Sequence, residues 1–204
     1  VSVVGVSVEL VATFRRWKPG MRDPVNPTFN PACRRIDRDS FWLKVTDAEG
    51  RVVGTDATVI ERERDLIAMM RDGSLWYGAD RRPDDWARMA DVHGDGVAVR
   101  GTFSHGGALF VDPDWRAHGL GRALLALNRI FALHDASLDY VTGFILEEMA
   151  TRRANDALYR FPEGCCHLVL AGYWPVICAP VRLYLLHMPA EQALDEACGK
   201  ALAA

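Results

Sequence analysis

The residues Arg116-Ala117-His118-Gly119-Leu120-Gly121-Arg122 have the composition of an anion-binding turn. Glycine permits tight backbone geometry at the mouth of a helix. The first N–H groups of a helix have no partner inside it, and the helix dipole adds positive charge at the same end. Together these make a site for a phosphate or pyrophosphate. Arg116 and Arg122 add two cations. The turn is not a Walker loop, because no Gly-Lys-Ser/Thr follows, and it lacks the Gly-x-Gly-x-x-Gly of a dinucleotide fingerprint. A strand-to-helix turn without a ligand stays open at this level.

Other side chains could move protons. His105, Asp112, Glu147 and Glu148 carry side chains that can act as bases. Each also reads as an ordinary structural or solvated residue. The adjacent Cys165-Cys166 has no partner His in a recognisable motif, so buried structural thiols fit better than a nucleophile.

These residues need elements to position them. Ala108 to Val111 form an apolar run that stops at Asp112-Pro113, where proline ends a strand. From Leu120 the apolar positions Leu120, Leu124, Leu127 and Phe131 follow helical spacing. Leu138 to Met149 reads as the next strand. Strand, helix, strand at this loop length is a βαβ unit with parallel strands and a right-handed crossover. Before it, Val97 to Phe103 reads as strand, and Ser104-His105-Gly106-Gly107 as a glycine turn or bulge. Residues 151–160 read as a helix stopped before Pro162, which carries Asn155 and Tyr159.

The rest of the chain builds outward. Val1 to Leu10 alternates as a half-buried strand, and residues 11–18 as a short helix. Residues 19–38, rich in Pro, Asn and Arg, read as an irregular segment. Ser40–Thr46 and Arg51–Ile60 form a hairpin around Asp47-Ala48-Glu49-Gly50. Glu61 to Asp72 reads as an amphipathic helix closed at Gly73, and Pro83 to Met89 as a short helix burying Trp86. His167–Leu170 and Val181–Met188 are the last strands, and Pro189 opens a C-terminal helix.

The 204 residues suit one domain, 1–204, large enough for a real core. A net charge of −3 gives no global attraction to nucleic acid or an anionic membrane, so neither is expected as a partner. No apolar run approaches the ~20 residues of a membrane span. The first residue is Val rather than Met, so a trimmed N-terminus stays open, and Val1 to Leu10 lacks the basic leader of a signal peptide. The five cysteines form no Cys-x-x-Cys and have no His cluster, which argues against structural zinc or any other metal site. An odd cysteine count suits a reducing, cytoplasmic setting. The excess of arginine over lysine, with abundant alanine, points to a bacterial GC-rich source.

Strand, Val111-Asp112-Pro113-Asp114-Trp115, then Arg116-x-x-Gly119-x-Gly121 and an apolar helix resembles the acyl-CoA motif of the GNAT superfamily of N-acyltransferases. The resemblance covers residues 105–135, and more loosely 40–60 and 139–190. It implies an α/β fold with a mixed, mostly antiparallel sheet, flanking helices and one parallel strand pair that splays apart. It also implies acetyl-CoA as co-substrate and a small-molecule primary amine as acceptor, acetylated by direct attack on the thioester. Pantetheine would pair with Phe110 and Val111. The pyrophosphate would sit on Ala117, His118, Gly119, Leu120, Gly121 and Arg122, with Arg116 as a further contact. Asn155 would touch pantetheine, Tyr159 would be the acid and Glu147 a base. The chain departs from the family pattern around Tyr159: Arg152 stands at the usual Asn position, and Cys165 replaces an aromatic. Two other functions stay open: a non-catalytic acyl-CoA sensor, and an acetyltransferase of protein N-termini or lysines. Acceptor walls would come from residues 11–38 and 61–105, with Trp17, Phe29, Arg34 and Arg35 as candidates. The last strands and C-terminal helix could support a homodimer.

Overall fold

Alternating apolar runs separated by short turns make most of this chain into one sheet. The computed structural model describes residues 6–11, 26–37, 39–151, 158–162 and 164–199. Seven strands lie in the order β1-β2-β3-β4-β5-β7-β6. They are β1 (Val6–Val11), β2 (Phe41–Asp47), β3 (Val52–Asp65), β4 (Arg100–Val111), β5 (Tyr140–Leu146), β6 (Cys166–Trp174) and β7 (Ala179–Pro189). All neighbours pair antiparallel except β4 and β5, which are parallel. This is the mixed sheet that the resemblance implies.

The β2–β3 hairpin turns at Gly50, whose φ of +78° is open to glycine at little cost. The parallel pair needs a crossover, and α2 (Leu120–Asp135) supplies it. Its Leu120 and Leu124 are buried against Phe41, Leu43, Val53 and Ile60. Each such side chain contributes about 1.5–3 kcal/mol through burial. Beside α2, α4 (Ala190–Gly199) buries Ala193 among Val141, Ile145, Leu186 and Met188. The opposite face is covered by α1 (Leu66–Asp72) and the segment up to Val99. Trp76 packs there at 5.6 Å from Trp174 and 6.1 Å from Phe144, ring centre to ring centre.

Several boundaries differ from the sequence reading. Glu61 to Asp65 extend β3 rather than opening a helix. Buried Glu61 faces Arg34, and Asp65 caps α1 by accepting from the Ala68 N–H at 2.9 Å. Charged residues suggested a solvated helix, but here they pair across the sheet and cap. Residues 97–99 are not strand. β4 instead runs unbroken through Ser104–Gly107, with a bulge further along. β5 ends at Leu146, and Glu147 begins the short helix α3 (Glu147–Thr151) instead of ending a strand. Residues 84–88 form a single 3₁₀ turn, and Trp86 is half-buried. β6 and β7 are longer than expected, joined by a turn at Pro175–Cys178. Val11 belongs to β1, and the rest of the helix expected at 11–18, with Trp17, lies outside the described residues, as does Asn155.

Candidate functional site

β4 and β5 share four paired positions, from Phe103 with Tyr140 to Gly106 with Gly143. Beyond Gly143, β5 runs on to Leu146, and β4 runs on to Val111, yet the two no longer pair. The strands therefore part into a wedge whose apex is the two glycines. A side chain at Gly143 would put its Cβ 3.4 Å from the Gly106 carbonyl oxygen, so the strands meet there because both residues are small.

A bulge in β4 shapes one wall of the wedge. Thr55 lies across from Phe110 and Ala57 across from Gly107, so Ala108 and Leu109 together oppose the single residue Asp56. Ala108 takes a φ of +56°, the left-handed region that L-residues seldom adopt. A bulge residue reverses the side-chain alternation. Before it, His105 faces the α1 side, and Phe29 packs so closely on Gly107 that a Cβ there would lie 2.8 Å from its ring. After it, Leu109 and Val111 pack under α2. The Asp112 N–H donates to Val53 at 2.8 Å, which by strand alternation leaves the polar groups of Val111 facing the wedge and those of Phe110 facing β3.

The glycine turn stands at the open end of the wedge. Pro113–Trp115 make one 3₁₀ turn, capped by Asp112, whose carboxylate accepts from the Asp114 N–H at 3.0 Å. Ala117 and Gly119 then take positive φ values of +65° and +78°, and Gly119 caps α2. Among the described residues, no backbone carbonyl accepts from the N–H groups of Ala117 to Arg122. A Cβ on Gly119 would meet nothing within 4 Å, so the surface above it is open. Arg116 folds back, its Nε donating to the Val111 carbonyl at 3.1 Å. His118 and Arg122 are exposed, Leu120 is buried beneath the turn, and Gly121 lies against Val111 and Leu158.

Inside the wedge, on the α2 side, is a cavity of about 250 Å³. Gly106 to Leu109 form one wall and Val141 to Phe144 the other, with Tyr159 and Phe161 closing it laterally. Tyr159 ends in this cavity, and burial first, then the Asp56 charge, raises its phenol above the ordinary range. It is therefore protonated at neutral pH. Glu147 does not line the cavity. It is exposed on α3 and pairs with Arg182 at 2.7 Å.

The polar lining residues Asp56, Thr58, Asn128 and Arg129 escaped the sequence reading. Asn128 of α2 donates through Nδ2 to Asp56 at 2.8 Å and accepts from the Thr58 hydroxyl. Beside it, Arg129 is pushed down to about 10 by burial, which the charges of Asp56 and Glu196 partly offset. Its Nη2 donates to the Tyr159 carbonyl, and its guanidinium lies 4.6 Å from the Phe161 ring centre. The available signal was Asp56 inside the apolar run of β3, and Asn128-Arg129 inside an otherwise apolar helix. Buried polar groups in such places need partners, and these supply one another.

The other face of the apex holds His105. Its Nδ1 lies 2.9 Å from the Thr142 hydroxyl, which spends its one proton on the Ser104 carbonyl at 2.8 Å. His105 therefore donates through Nδ1, and its lone pair is on Nε2. Burial, with Arg34 nearby, pushes it down to about 3, so the ring is neutral. Arg34 is buried on this side, bonded to Glu61 and, at 2.6 Å, to the Leu75 carbonyl. Arg35 is exposed.

No family model matches the chain, and no curated protein matches it. Among solved structures it is similar to mutant forms of the spermidine/spermine N-acetyltransferase SpeG from Vibrio cholerae. That similarity has 10% identity and a TM-score of 0.44, over 79% of this chain and 70% of the other. It is also similar to an acetyltransferase of the GNAT family from Streptococcus pneumoniae, at 11% identity and TM-score 0.42 over 74% and 66% of the two chains. Nourseothricin acetyltransferase gives 16% identity and TM-score 0.42, over 74% and 66%.

Proposed function

We propose that this protein transfers an acyl group from a coenzyme A thioester to an amine of a small molecule. One observation carries this reading: a wedge between β4 and β5 opens beside a helix N-terminus with unpaired N–H groups. A ligand matching both features has an extended amide-bearing arm attached to a pyrophosphate. Coenzyme A has that form, and the sequence from Val111 to Gly121 resembles the motif that binds it.

In this reading the amides of Ala117 to Arg122 hold the pyrophosphate. Arg116 and Arg122 stand beside it, and the polar groups of Val111 pair with the pantetheine arm. The arm runs along β4 toward Gly106, which places the thioester at the bulge. Holding the two reactants together provides most of the rate enhancement. A backbone N–H at the Ala108–Leu109 bulge stabilises the developing oxyanion. Tyr159, protonated and lining the cavity, supplies a proton to the departing sulfur. The amine attacks in its neutral form, and Glu147, exposed and paired with Arg182, takes no part.

The test is calorimetric titration with CoA, followed by thiol release in the presence of an amine panel. Binding with turnover supports the reading. Absence of CoA binding rejects it, and binding without turnover on any amine favours an acyl-CoA sensor.

A further inference from the structure

The cavity continues past the point where the strands rejoin. Ser104 and Val141, paired inside the bonded stretch, both line it. Its β3 side, under α2, is the polar end: Thr58, opposite Gly106, and Asp56, opposite the bulge, meet Asn128 there, with Arg129 at the side. Arg129 is 9% exposed. A guanidinium carries five N–H donors, and Arg129 places one on the Tyr159 carbonyl. Asn128 has a second amide N–H besides the one on Asp56. An acetyl methyl offers these groups no acceptor, and burying donors against a methyl leaves them unmet.

We propose that the acyl group delivered here is a short chain longer than acetyl, with an oxygen at its far end that accepts hydrogen bonds from Arg129 and Asn128. This rests on the wedge being the acyl-CoA slot. The thioester would lie near Gly106, and a chain of about four carbons would extend into the polar end. The far oxygen takes no part in the bond changes. The amine nitrogen bonds to the thioester carbon, the C–S bond breaks, and CoA leaves as the thiol with the proton the amine gives up. A carboxylate suits Arg129. A hydroxyl, which also donates, suits Arg129 and Asp56 together.

Calorimetry with CoA, acetyl-CoA, butyryl-CoA, 3-hydroxybutyryl-CoA and succinyl-CoA tests this without knowledge of the acceptor. Succinyl-CoA or 3-hydroxybutyryl-CoA should bind about tenfold or more tightly than both acetyl- and butyryl-CoA. Which one leads tells carboxylate from hydroxyl. In Arg129→Met the ratio of succinyl-CoA or 3-hydroxybutyryl-CoA affinity to butyryl-CoA affinity should fall toward one. If Arg129→Met does not fold, the wild-type series decides alone. Equal or tighter binding of acetyl- or butyryl-CoA overturns the inference while leaving the slot intact. Failure of CoA itself to bind overturns the slot, and this inference with it.

Discussion

Gly106 and Gly143 are the last residues at which β4 and β5 pair, and a Cβ on Gly143 would stand 3.4 Å from the Gly106 carbonyl. A side chain at Gly143 would thus point straight at the last bonded step of β4. Gly143→Val should force the strands apart one step earlier, weakening CoA binding more than about tenfold and lowering stability by about 1–3 kcal/mol. Calorimetry and a thermal melt read the two effects separately.

Gly119 tests the turn rather than the wedge. Space is open around it, so the penalty of a side chain is its backbone at φ +78°. Gly119→Val should cost about 1–2 kcal/mol of stability. It should also reduce CoA affinity strongly, because the branched side chain stands where the phosphates would lie. Gly119→Asn, which tolerates this conformation, should keep most of the stability. Unchanged CoA affinity in the valine variant would refute the turn as the phosphate site.

Tyr159→Phe should lower turnover by about 10²–10⁴-fold if the phenol protonates the leaving thiolate, with little change in acyl-CoA affinity. In the wild type the rate should fall only at strongly alkaline pH, because burial raises this phenol. A phenylalanine variant with full turnover at every pH would remove the acid role.

His105 predicts an acid-side loss of stability. Its folded value of about 3 lies below the ordinary histidine value of ~6.5, so the unfolded chain binds the extra proton between these limits. Stability from this group is present above pH ~6.5 and is lost as pH falls toward 3, by an amount of the order of a few kcal/mol. His187, also lowered by burial and by His167, contributes with the same sign. His105→Gln should flatten the acid limb of a melting-temperature profile. An unchanged profile would mean that His105 is not held neutral in the fold.

The Arg34–Glu61 pair fastens the 26–37 segment to β3. Burial raises the Glu61 carboxyl, even against the neighbouring guanidinium. Removing one partner leaves a buried charge alone, so Arg34→Met should cost about 3–5 kcal/mol. Adding Glu61→Gln should recover much of that loss. Denaturant melts of the two single variants and the double variant measure the coupling.

Much of this architecture is legible from local pattern. The β2–β3 hairpin, the end of β4 at Asp112-Pro113, the crossover helix from Leu120 and the parallel β4–β5 pair all follow from turn chemistry and periodicity. The resemblance led to the glycine turn, and strand alternation around the bulge depends on one positive φ that no residue type announces at Ala108. The Asp56–Asn128–Thr58 contacts join residues 70 or more positions apart, so no local window contains them. Glu61 to Asp65 misled because charge is read as exposure, while Arg34 lies 27 residues away from Glu61.

The two-against-one arrangement at Ala108 and Asp56 has a further consequence. It acts as a phase step: the inner half of β4 and its outer half are out of step by one residue. Straightening Ala108 into ordinary extended backbone, with no residue removed, would restore strict alternation and turn Leu109 and Val111 toward Phe29 and away from α2. The helix that follows would then be carried to the wrong side of the sheet. Deleting Ala108 removes the step together with the residue and leaves Val111 opposite Gly54, whereas inserting one residue beside it turns the outer half over, so the insertion should be the more damaging change.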